Sequence, residues 1–170
     1  NGVKTAGGEY RFEPERAVTR AEFAKMLSLS EGYMHNETDV DLSSFEDDLE
    51  IQAWARPYVN YCSKKEWIKG KSSGGAVYMR PNDMITRAEA AAMISRALGI
   101  KMADRIEKAG YADKEKIPGW AAGYIDQLNE LKLMTGDSGG TFSPDRVLTR
   151  AEAAKIFDTY AFIKTKTASA

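Results

Sequence analysis

The tetrapeptide TRAE occurs three times in this 170-residue chain, at residues 19–22, 86–89 and 149–152. Each copy stands directly before an apolar run with helical spacing, as Ala90 and Met93 show after the second copy. A proline precedes each copy at the same distance, and a glycine-containing stretch with an aromatic residue precedes each proline. The chain therefore contains an internal repeat, and this repeat decides the fold.

Two of the three copies extend further upstream. Residues 45–61 align with residues 111–128, and both contain an aromatic-x-Asp motif followed by a Trp-Ala motif. A complete unit then continues with an apolar helix, a glycine-rich loop, a proline, TRAE and a second apolar helix. Because the chain starts inside a glycine loop, we expect only the back half of a first unit, its front half lying upstream of Asn1 or missing. The predicted divisions are a partial repeat at 1–32, a linker at 33–44, a second repeat at 45–100, a linker at 101–110, a third repeat at 111–163 and a tail at 164–170.

Both apolar segments of a unit have the spacing of amphipathic helices. Gly32 and Gly99 follow the first two TRAE segments, at positions where glycine commonly ends a helix. Pro57 falls early in its helix, where the missing amide donor is tolerated. Loop aromatics such as Tyr78 and Phe142 predict short extended segments. We therefore expect a mainly α protein of paired helices, one pair per complete unit.

Composition and charge exclude several classes of protein. The chain has 24 basic and 25 acidic residues and a net charge of −1, so it lacks the basic excess typical of nucleic-acid binding. No apolar run approaches the roughly 20 residues of a membrane-spanning helix. The single cysteine, Cys62, cannot form an internal disulfide and is expected to pack as a small hydrophobic residue.

The TRAE motif divides into residues that capping explains and one that it does not. Threonine and glutamate at this spacing form a capping box, worth about 1 kcal/mol to each helix. Arginine in the first turn faces the positive end of the helix dipole and is locally unfavourable. Three such placements, at Arg20, Arg87 and Arg150, indicate a shared anionic partner. The spacing leaves two partners open: an internal carboxylate such as Asp47 or Asp113, or a ligand anion near the helix start.

The unit resembles the S-layer homology (SLH) repeat. Residues 111–157 resemble it most closely and read YADKEKIPGWAAGYIDQLNELKLMTGDSGGTFSPDRVLTRAEAAKIF. The resemblance implies a pseudo-threefold arrangement of helix-loop-helix repeats with short extended loop segments. It further implies an exported bacterial protein, held non-covalently to the cell wall. The implied partner is a secondary cell-wall polysaccharide carrying pyruvate ketal groups, received in grooves between repeats, with a cargo domain fused to the chain.

The resemblance also assigns candidate ligand-binding residues. The arginine of TRAE would be the principal contact, the motif aspartate and tryptophan would line or support the grooves, and loop glycines would allow close backbone approach. These residues are Arg20, Arg87, Arg150, Asp47, Asp113, Trp54, Trp120, Gly74, Gly75, Gly139 and Gly140. A pyruvate ketal retains a free carboxylate, which guanidinium matches well. No catalytic residue, metal or cofactor is implied, so the chain is not expected to be an enzyme.

Two other interpretations stay open at this point. The chain would instead be a helical protein–protein interaction or S-layer assembly module if the arginines are structural. Residues 39–50 also place oxygen-bearing side chains at calcium-loop positions, although Ser44 stands where such a loop needs glycine. These side chains are Asp39, Asp41, Ser43, Asp47 and Glu50. The longer loop of the second unit and the incomplete first unit predict that the grooves are unequal.

Overall fold

The computed structural model describes residues 3–4, 8–35, 43–101 and 110–168 and is mainly helical, which confirms the predicted mainly α class. The helices are α1 (Arg20–Ser30), α2 (Arg56–Lys64), α3 (Arg87–Ala97), α4 (Gly119–Glu130) and α5 (Arg150–Ala168). Two small antiparallel hairpins accompany them: β1 (Val3–Lys4) with β2 (Tyr10–Arg11), and β3 (Lys71–Ser73) with β4 (Ala76–Tyr78). The predicted extended segment at Tyr78 is thus present, whereas Phe142 lies in no strand.

The capping boxes form as predicted. The Thr19 and Thr86 side chains each accept from the amide of the TRAE glutamate, and that glutamate accepts from the threonine amide. At α5 the same pair of bonds joins Thr149 and Glu152, with donor–acceptor distances of 3.3 and 3.0 Å. All three TRAE helices therefore begin at the arginine.

The ends of the helices agree with the sequence in part. Gly32 and Gly99 follow α1 and α3 with φ of 76° and 72°, the left-handed conformation that ends a helix. Pro57 lies in the first turn of α2. Trp120 lies in the first turn of α4, but Trp54 precedes α2. Helix α5 continues to Ala168, through most of the segment predicted as a separate tail.

Backbone hydrogen bonds join the three TRAE turns in a closed cycle. The amide of Val18 donates to the carbonyl of Leu148 (3.0 Å), Leu148 to Ile85 (3.1 Å) and Ile85 back to Val18 (2.9 Å). All three side chains are fully buried. A second cycle links the TRAE arginine amides to carbonyls in the turn before the next TRAE: Arg20 to Asp83, Arg87 to Arg146 and Arg150 to Arg16. The repeats therefore meet at a shared centre.

The helices that pack most closely belong to successive repeats. Helix α1 of the first repeat packs on α2 of the second, α3 packs on α4 in the same way, and α5 packs on α1. Each complete repeat thus contributes two helices, as expected, but these helices pack on helices of the neighbouring repeats, because an apolar stripe specifies a buried face but not the helix that covers it. One hydrophobic core, with residues from all three repeats, results.

No helix among the described residues has both the length and the apolar character needed to cross a membrane.

Candidate functional site

Each TRAE arginine reaches the glycine loop of the next repeat in the cycle. In all three cases the guanidinium Nε donates to a backbone carbonyl of that loop. The bonds run from Arg20 to Met79 (2.8 Å), from Arg87 to Phe142 (2.7 Å) and from Arg150 to Phe12 (2.7 Å). The arginine therefore lies at a boundary between repeats and helps to join them.

Arg20 also forms an ion pair with the glutamate of the following TRAE. Its Nη1 lies 3.1 Å from Glu89 Oε2, and the Arg20 side chain is almost completely buried. The second oxygen, Glu89 Oε1, lies 2.9 Å from the ammonium of Lys71. The internal anion beside this arginine is thus a capping glutamate and not Asp47 or Asp113.

Arg87 has backbone oxygens and an aromatic ring around its guanidinium. Its Nη2 donates to the Thr135 carbonyl at 2.9 Å, and its Cζ lies 4.6 Å from the centroid of the Phe142 ring. Burial lowers the pKa of Arg87, and the nearby Arg146 lowers it further. The nearby carboxylates of Glu152 and Asp137 act in the opposite direction, so Arg87 already has internal anions beside it.

The motif aspartates hold the loops that the arginines contact. Each carboxylate accepts from two consecutive loop amides through its two oxygens. Asp47 accepts from Met79 and Arg80 (both 2.7 Å), and Asp113 accepts from Phe142 (2.8 Å) and Ser143 (2.7 Å). Arg80 and Ser143 have positive φ, so these bonds stabilise an otherwise unfavourable backbone conformation. The aspartates therefore fix the backbone of the loops that the arginines contact, and a role in ligand binding stays a prediction for both.

A cavity of about 520 Å³, here called the first groove, opens beside Arg20. Its lining comes from all three repeats and comprises Arg20, Ile68, Lys69, Gly70, Lys71, Ser72, Glu89, Ala92, Met93, Arg96 and Trp120. Trp120 leaves 49% of its surface exposed, which is unusual for so large an apolar side chain. The volume lies within the range of roughly 300–1,000 Å³ that is typical of ligand sites.

A cavity of about 260 Å³, the second groove, opens beside Arg87. Its lining comprises Arg87, residues 132–137, residues 141–143, Arg146, Glu152, Lys155, Ile156 and Thr159. No tryptophan lines it in the described part of the chain. Asp137 is held by the Thr141 hydroxyl, and this bond keeps the pKa of Asp137 below its ordinary value. The second groove is therefore smaller and contains a carboxylate where the first has Lys71.

Trp54 occupies a position beside α1 that parallels the position of Trp120 beside α3. The Lys25 ammonium of α1 lies 5.5 Å from the centroid of the Trp54 ring and 5.1 Å from that of Tyr58. Trp54 is 43% exposed, and its Nε1 donates to Gln52. The remaining arginine, Arg150, lies with its guanidinium 5.3 Å from the centroid of the Phe12 ring.

The family model of the S-layer homology domain matches residues 44–91 and 110–154, more than half of the chain. The chain belongs to the S-layer homology domain family. The chain is 35% identical to the Cellulosome-anchoring protein of Acetivibrio thermocellus, and the match covers 58% of this chain and 21% of that protein. The Surface-layer 125 kDa protein of Lysinibacillus sphaericus is 28% identical over 69% of this chain and 10% of its own length. Exoglucanase XynX of A. thermocellus is 29% identical over 86% of this chain and 13% of its own length.

The SLH chain thus spans about a fifth or less of these relatives. The family match covers the second and third repeats, including two of the three TRAE motifs. Family membership, together with the surface-layer and anchoring relatives, indicates an extracellular chain associated with the cell wall.

The predicted loop glycines of the SLH repeats lie at turn tips. Gly74 and Gly75 join β3 to β4 with φ of 59° and 83°, and Gly140 has φ of 74°. A Cβ at any of these three would have no protein atom within 4 Å, and one at Gly139 would lie 3.3 Å from an Asp137 oxygen. The positive φ that the turn requires explains why glycine stands at positions 74, 75 and 140. Contact of these glycines and of Gly139 with a ligand stays a prediction.

Close backbone approach occurs instead at two glycines that the sequence interpretation missed. A Cβ at Gly70 would lie 2.5 Å from Cγ1 of Val77, and one at Gly136 would lie 2.8 Å from Cε1 of Tyr111. Each glycine lines a groove, the first and the second respectively. The signal was present, because Gly70 and Gly136 have the same spacing as Trp54 and Trp120.

The calcium-loop alternative depends on residues beyond those described. Asp39 and Asp41 lie outside the described residues, while both oxygens of Asp47 bind loop amides. In the described ranges no cluster of three or more His, Cys, Asp or Glu side chains is placed to hold a metal ion. Cys62 is fully buried, as predicted, and burial raises the pKa of its thiol to about 12.

Proposed function

We propose that this chain attaches an exported protein non-covalently to the bacterial cell wall by binding a secondary cell-wall polysaccharide in the grooves between its SLH repeats. The anionic group that it recognises is the carboxylate of a pyruvate ketal. The observation that carries this proposal is the first groove, where cationic side chains and an exposed tryptophan line one cavity.

The charge around the first groove differs from the charge of the whole chain. The chain carries a net charge of −1, yet this cavity is lined by four cationic side chains and only one carboxylate, that of Glu89. A local excess of positive charge in a concave site attracts anions and raises their association rate. The exposed face of Trp120 provides an apolar surface for a sugar ring, so anion and ring would be recognised together.

Arg20 has a structural role and also an N–H group that is available for a further hydrogen bond. Its Nε and Nη1 bind Met79 and Glu89, which leaves Nη2 without a partner in the described part of the chain. The same contacts favour a second candidate function, a helical protein–protein interaction or S-layer assembly module whose arginines are structural. A carboxylate at Nη2 would give a charge-assisted hydrogen bond without breaking either existing contact.

The repeat architecture proposed here is pseudo-threefold, with three helix-loop-helix repeats at the boundaries predicted from sequence, except that α5 extends the third repeat to Ala168. The two cycles of backbone hydrogen bonds around Val18, Ile85 and Leu148 support this arrangement. Several grooves on one polymer would add their modest affinities through multivalency. One groove therefore need not be strong for attachment to be stable.

The enzymes among the relatives do not make this chain an enzyme. Exoglucanase XynX and an Endoglucanase of Bacillus sp. (strain KSM-635) match over only 13% and 16% of their own lengths. We propose that the chain is a non-catalytic module and that the cargo lies elsewhere in the same polypeptide. The substrates of those enzymes are therefore not carried over.

A sedimentation assay with purified wall polysaccharide, before and after chemical removal of pyruvate, tests the function. We expect the intact polymer to retain the protein and the depyruvylated polymer to retain much less. Trp120→Ala should weaken retention, and Phe162→Ala should not, because Phe162 is even more exposed than Trp120 but lines neither groove.

Two results would contradict the proposal in different ways. Equal retention on both polymers would remove the ketal from the mechanism. Binding to a partner protein but to no wall material would favour the interaction module instead. Arginine variants are less informative here, because loss of Arg20 or Arg87 also removes contacts that join two repeats.

A further inference from the structure

The two grooves differ at equivalent positions of their repeats. Three positions that are basic in the first groove are neutral or acidic in the second. The pairs are Lys69 and Thr135, Lys71 and Asp137, and Arg96 and Thr159. The first groove is also about twice as large as the second, at 520 against 260 Å³. The first groove therefore has both more positive charge and a larger volume than the second groove.

Arg96 is held in place at one end of the first groove. Its Nη1 donates to the Trp67 carbonyl at 3.1 Å, and its Cζ lies 5.3 Å from the centroid of the Tyr124 ring. Its Nε is buried and has no hydrogen-bond partner among the described residues. A guanidinium has five N–H donors, and the contacts found here occupy few of them. The protein thus fixes the orientation of the Arg96 side chain but leaves several of its N–H donors without a hydrogen-bond acceptor among the described residues.

Trp120 lines the first groove together with Arg96. Trp120 and Tyr124 are four residues apart on α4, so they lie one turn apart on the same helix face. Since Arg96 lies over Tyr124, the tryptophan and this guanidinium are neighbours on the groove wall. Lys69 contributes a further exposed cation to the lining.

The Arg20 end of the groove lies some distance away. Arg20 pairs with Glu89, which precedes Arg96 by seven residues of α3. At a rise of about 1.5 Å per residue, these two positions are separated by about 10 Å along the helix axis. The first groove therefore has two separate cationic ends, and Trp120 lines the same cavity.

We infer that the first groove binds a polysaccharide segment that carries two anionic groups rather than one. The ketal carboxylate binds at the Arg20 end. A second carboxylate or a phosphate on a neighbouring sugar binds at the Arg96 end, with the ring of that sugar against Trp120. This inference rests on the proposed function and identifies Arg96 as a residue that determines specificity.

Calorimetric titration of the 170-residue chain with three synthetic disaccharides tests the inference. All three carry one pyruvate ketal; the second sugar is a neutral hexose, a uronic acid or a hexose phosphate. We expect at least one doubly charged probe to bind about tenfold more tightly than the singly charged probe, as one added charge-assisted hydrogen bond predicts. The better of the two identifies the second anion.

Variants locate the effect in the first groove. Arg96→Thr, which introduces the residue found in the second groove, should remove the advantage of the doubly charged probes, so that all three probes bind this variant with similar affinity. Lys69→Thr should reduce the advantage in part and is a safer variant, because Lys69 is exposed. Lys166→Thr is the matched control and should change neither affinity, because it removes an exposed cation of α5 that lines neither groove.

The outcomes separate the two proposals. If all three probes bind equally, or if Arg96→Thr and Lys69→Thr both retain the full advantage, the two-anion groove is wrong and wall binding stands. If no probe binds, both proposals fail. A thermal unfolding curve for each variant shows whether a lost affinity reflects a lost fold.

Discussion

Helices α3 and α5 start with the same five residues, RAEAA, yet they end in different surroundings. On α3, Ala91 and Ser95 are fully buried. Their equivalents on α5, Ala154 and Asp158, are exposed. The reason is that α4 packs closely on α3, whereas the helix that packs most closely on α5 in the described part of the chain is α1, which covers another face.

The difference shows that the TRAE motif determines where a helix starts but not what covers it. Helix α1 agrees with α3, because Ser28 is fully buried and its hydroxyl donates to the Tyr58 carbonyl of α2 at 3.2 Å. The covered helices thus carry serine where the uncovered helix carries aspartate. A small residue tolerates a neighbouring helix, and an unpaired carboxylate does not.

Exchanging the residues at this position should give the largest effect. Ser95→Asp would bury a carboxylate without a cation and should lower the free energy of unfolding by about 4 kcal/mol. The reverse change, Asp158→Ser, should alter it by less than about 0.5 kcal/mol, because the site is exposed. Urea unfolding of both variants measures the comparison. Similar losses would show that α5 is covered in solution, and no loss from Ser95→Asp would show that α4 does not cover α3.

The sequence predicted the start of each helix and the role of threonine and glutamate, because capping depends on residues three apart. It did not predict that Glu89 also pairs with Arg20, since a long-range contact leaves no local pattern. Capping alone accounts for a glutamate at this position, so its residue type gives no sign of a second role. The candidate site was likewise predicted only in part. The TRAE arginines were among the predicted site residues, but Lys71 and Arg96 were not.

The loops in front of α3 and α5 extend the comparison to glycine. Gly70 has φ of 69° and almost no space for a Cβ, whereas Gly136 lacks the space but does not have a positive φ. Gly70→Ala should therefore cost about 3 kcal/mol of unfolding free energy and Gly136→Ala about 2 kcal/mol. Gly75→Ala is the matched control, since it has a positive φ but open space, and it should cost about 1 kcal/mol. The same unfolding assay would contradict this account if Gly75→Ala cost as much as Gly70→Ala.

Loop glycines explain why the first groove keeps its shape. Gly70 lines that groove and packs beneath Val77 and Phe45, so the hairpin of β3 and β4 can come close to the motif aromatic. The sequence interpretation selected the paired glycines at 74–75 and 139–140 because they are conspicuous turn formers. The glycines required for packing are single residues, and only their common spacing in the two complete repeats distinguishes them.

The smallest effect concerns the capping glutamates and pH. Glu152 forms an ion pair with Arg146 at 2.5 Å. The residue equivalent to Arg146 before α3 is Asp83, which cannot form such a pair. Glu89 is instead paired with Arg20 and Lys71. Burial acts to raise the pKa of Glu152, but hydrogen bonds from Arg146 and the Thr149 amide outweigh it and hold that pKa below its ordinary value of 4.5.

A depressed carboxyl pKa in the folded state means that Glu152 stabilises the fold above about pH 4.5 and that this contribution is lost as the pH falls through the lower, folded-state pKa. Glu152→Gln keeps a side chain that can complete the capping box, so it removes mainly the charge. It should lower the unfolding free energy near pH 7 by less than about 1 kcal/mol, because the pair is partly exposed, and the difference should shrink in acid. Arg146→Gln should give the same pH dependence, since it removes the other member of the pair. The stability difference between Glu152→Gln and the original chain could instead stay constant between neutral and acidic pH. That result would show that Glu152 contributes through its hydrogen bonds in the cap and not through its charge. The start of α5 would then depend on capping alone and not on the ion pair with Arg146.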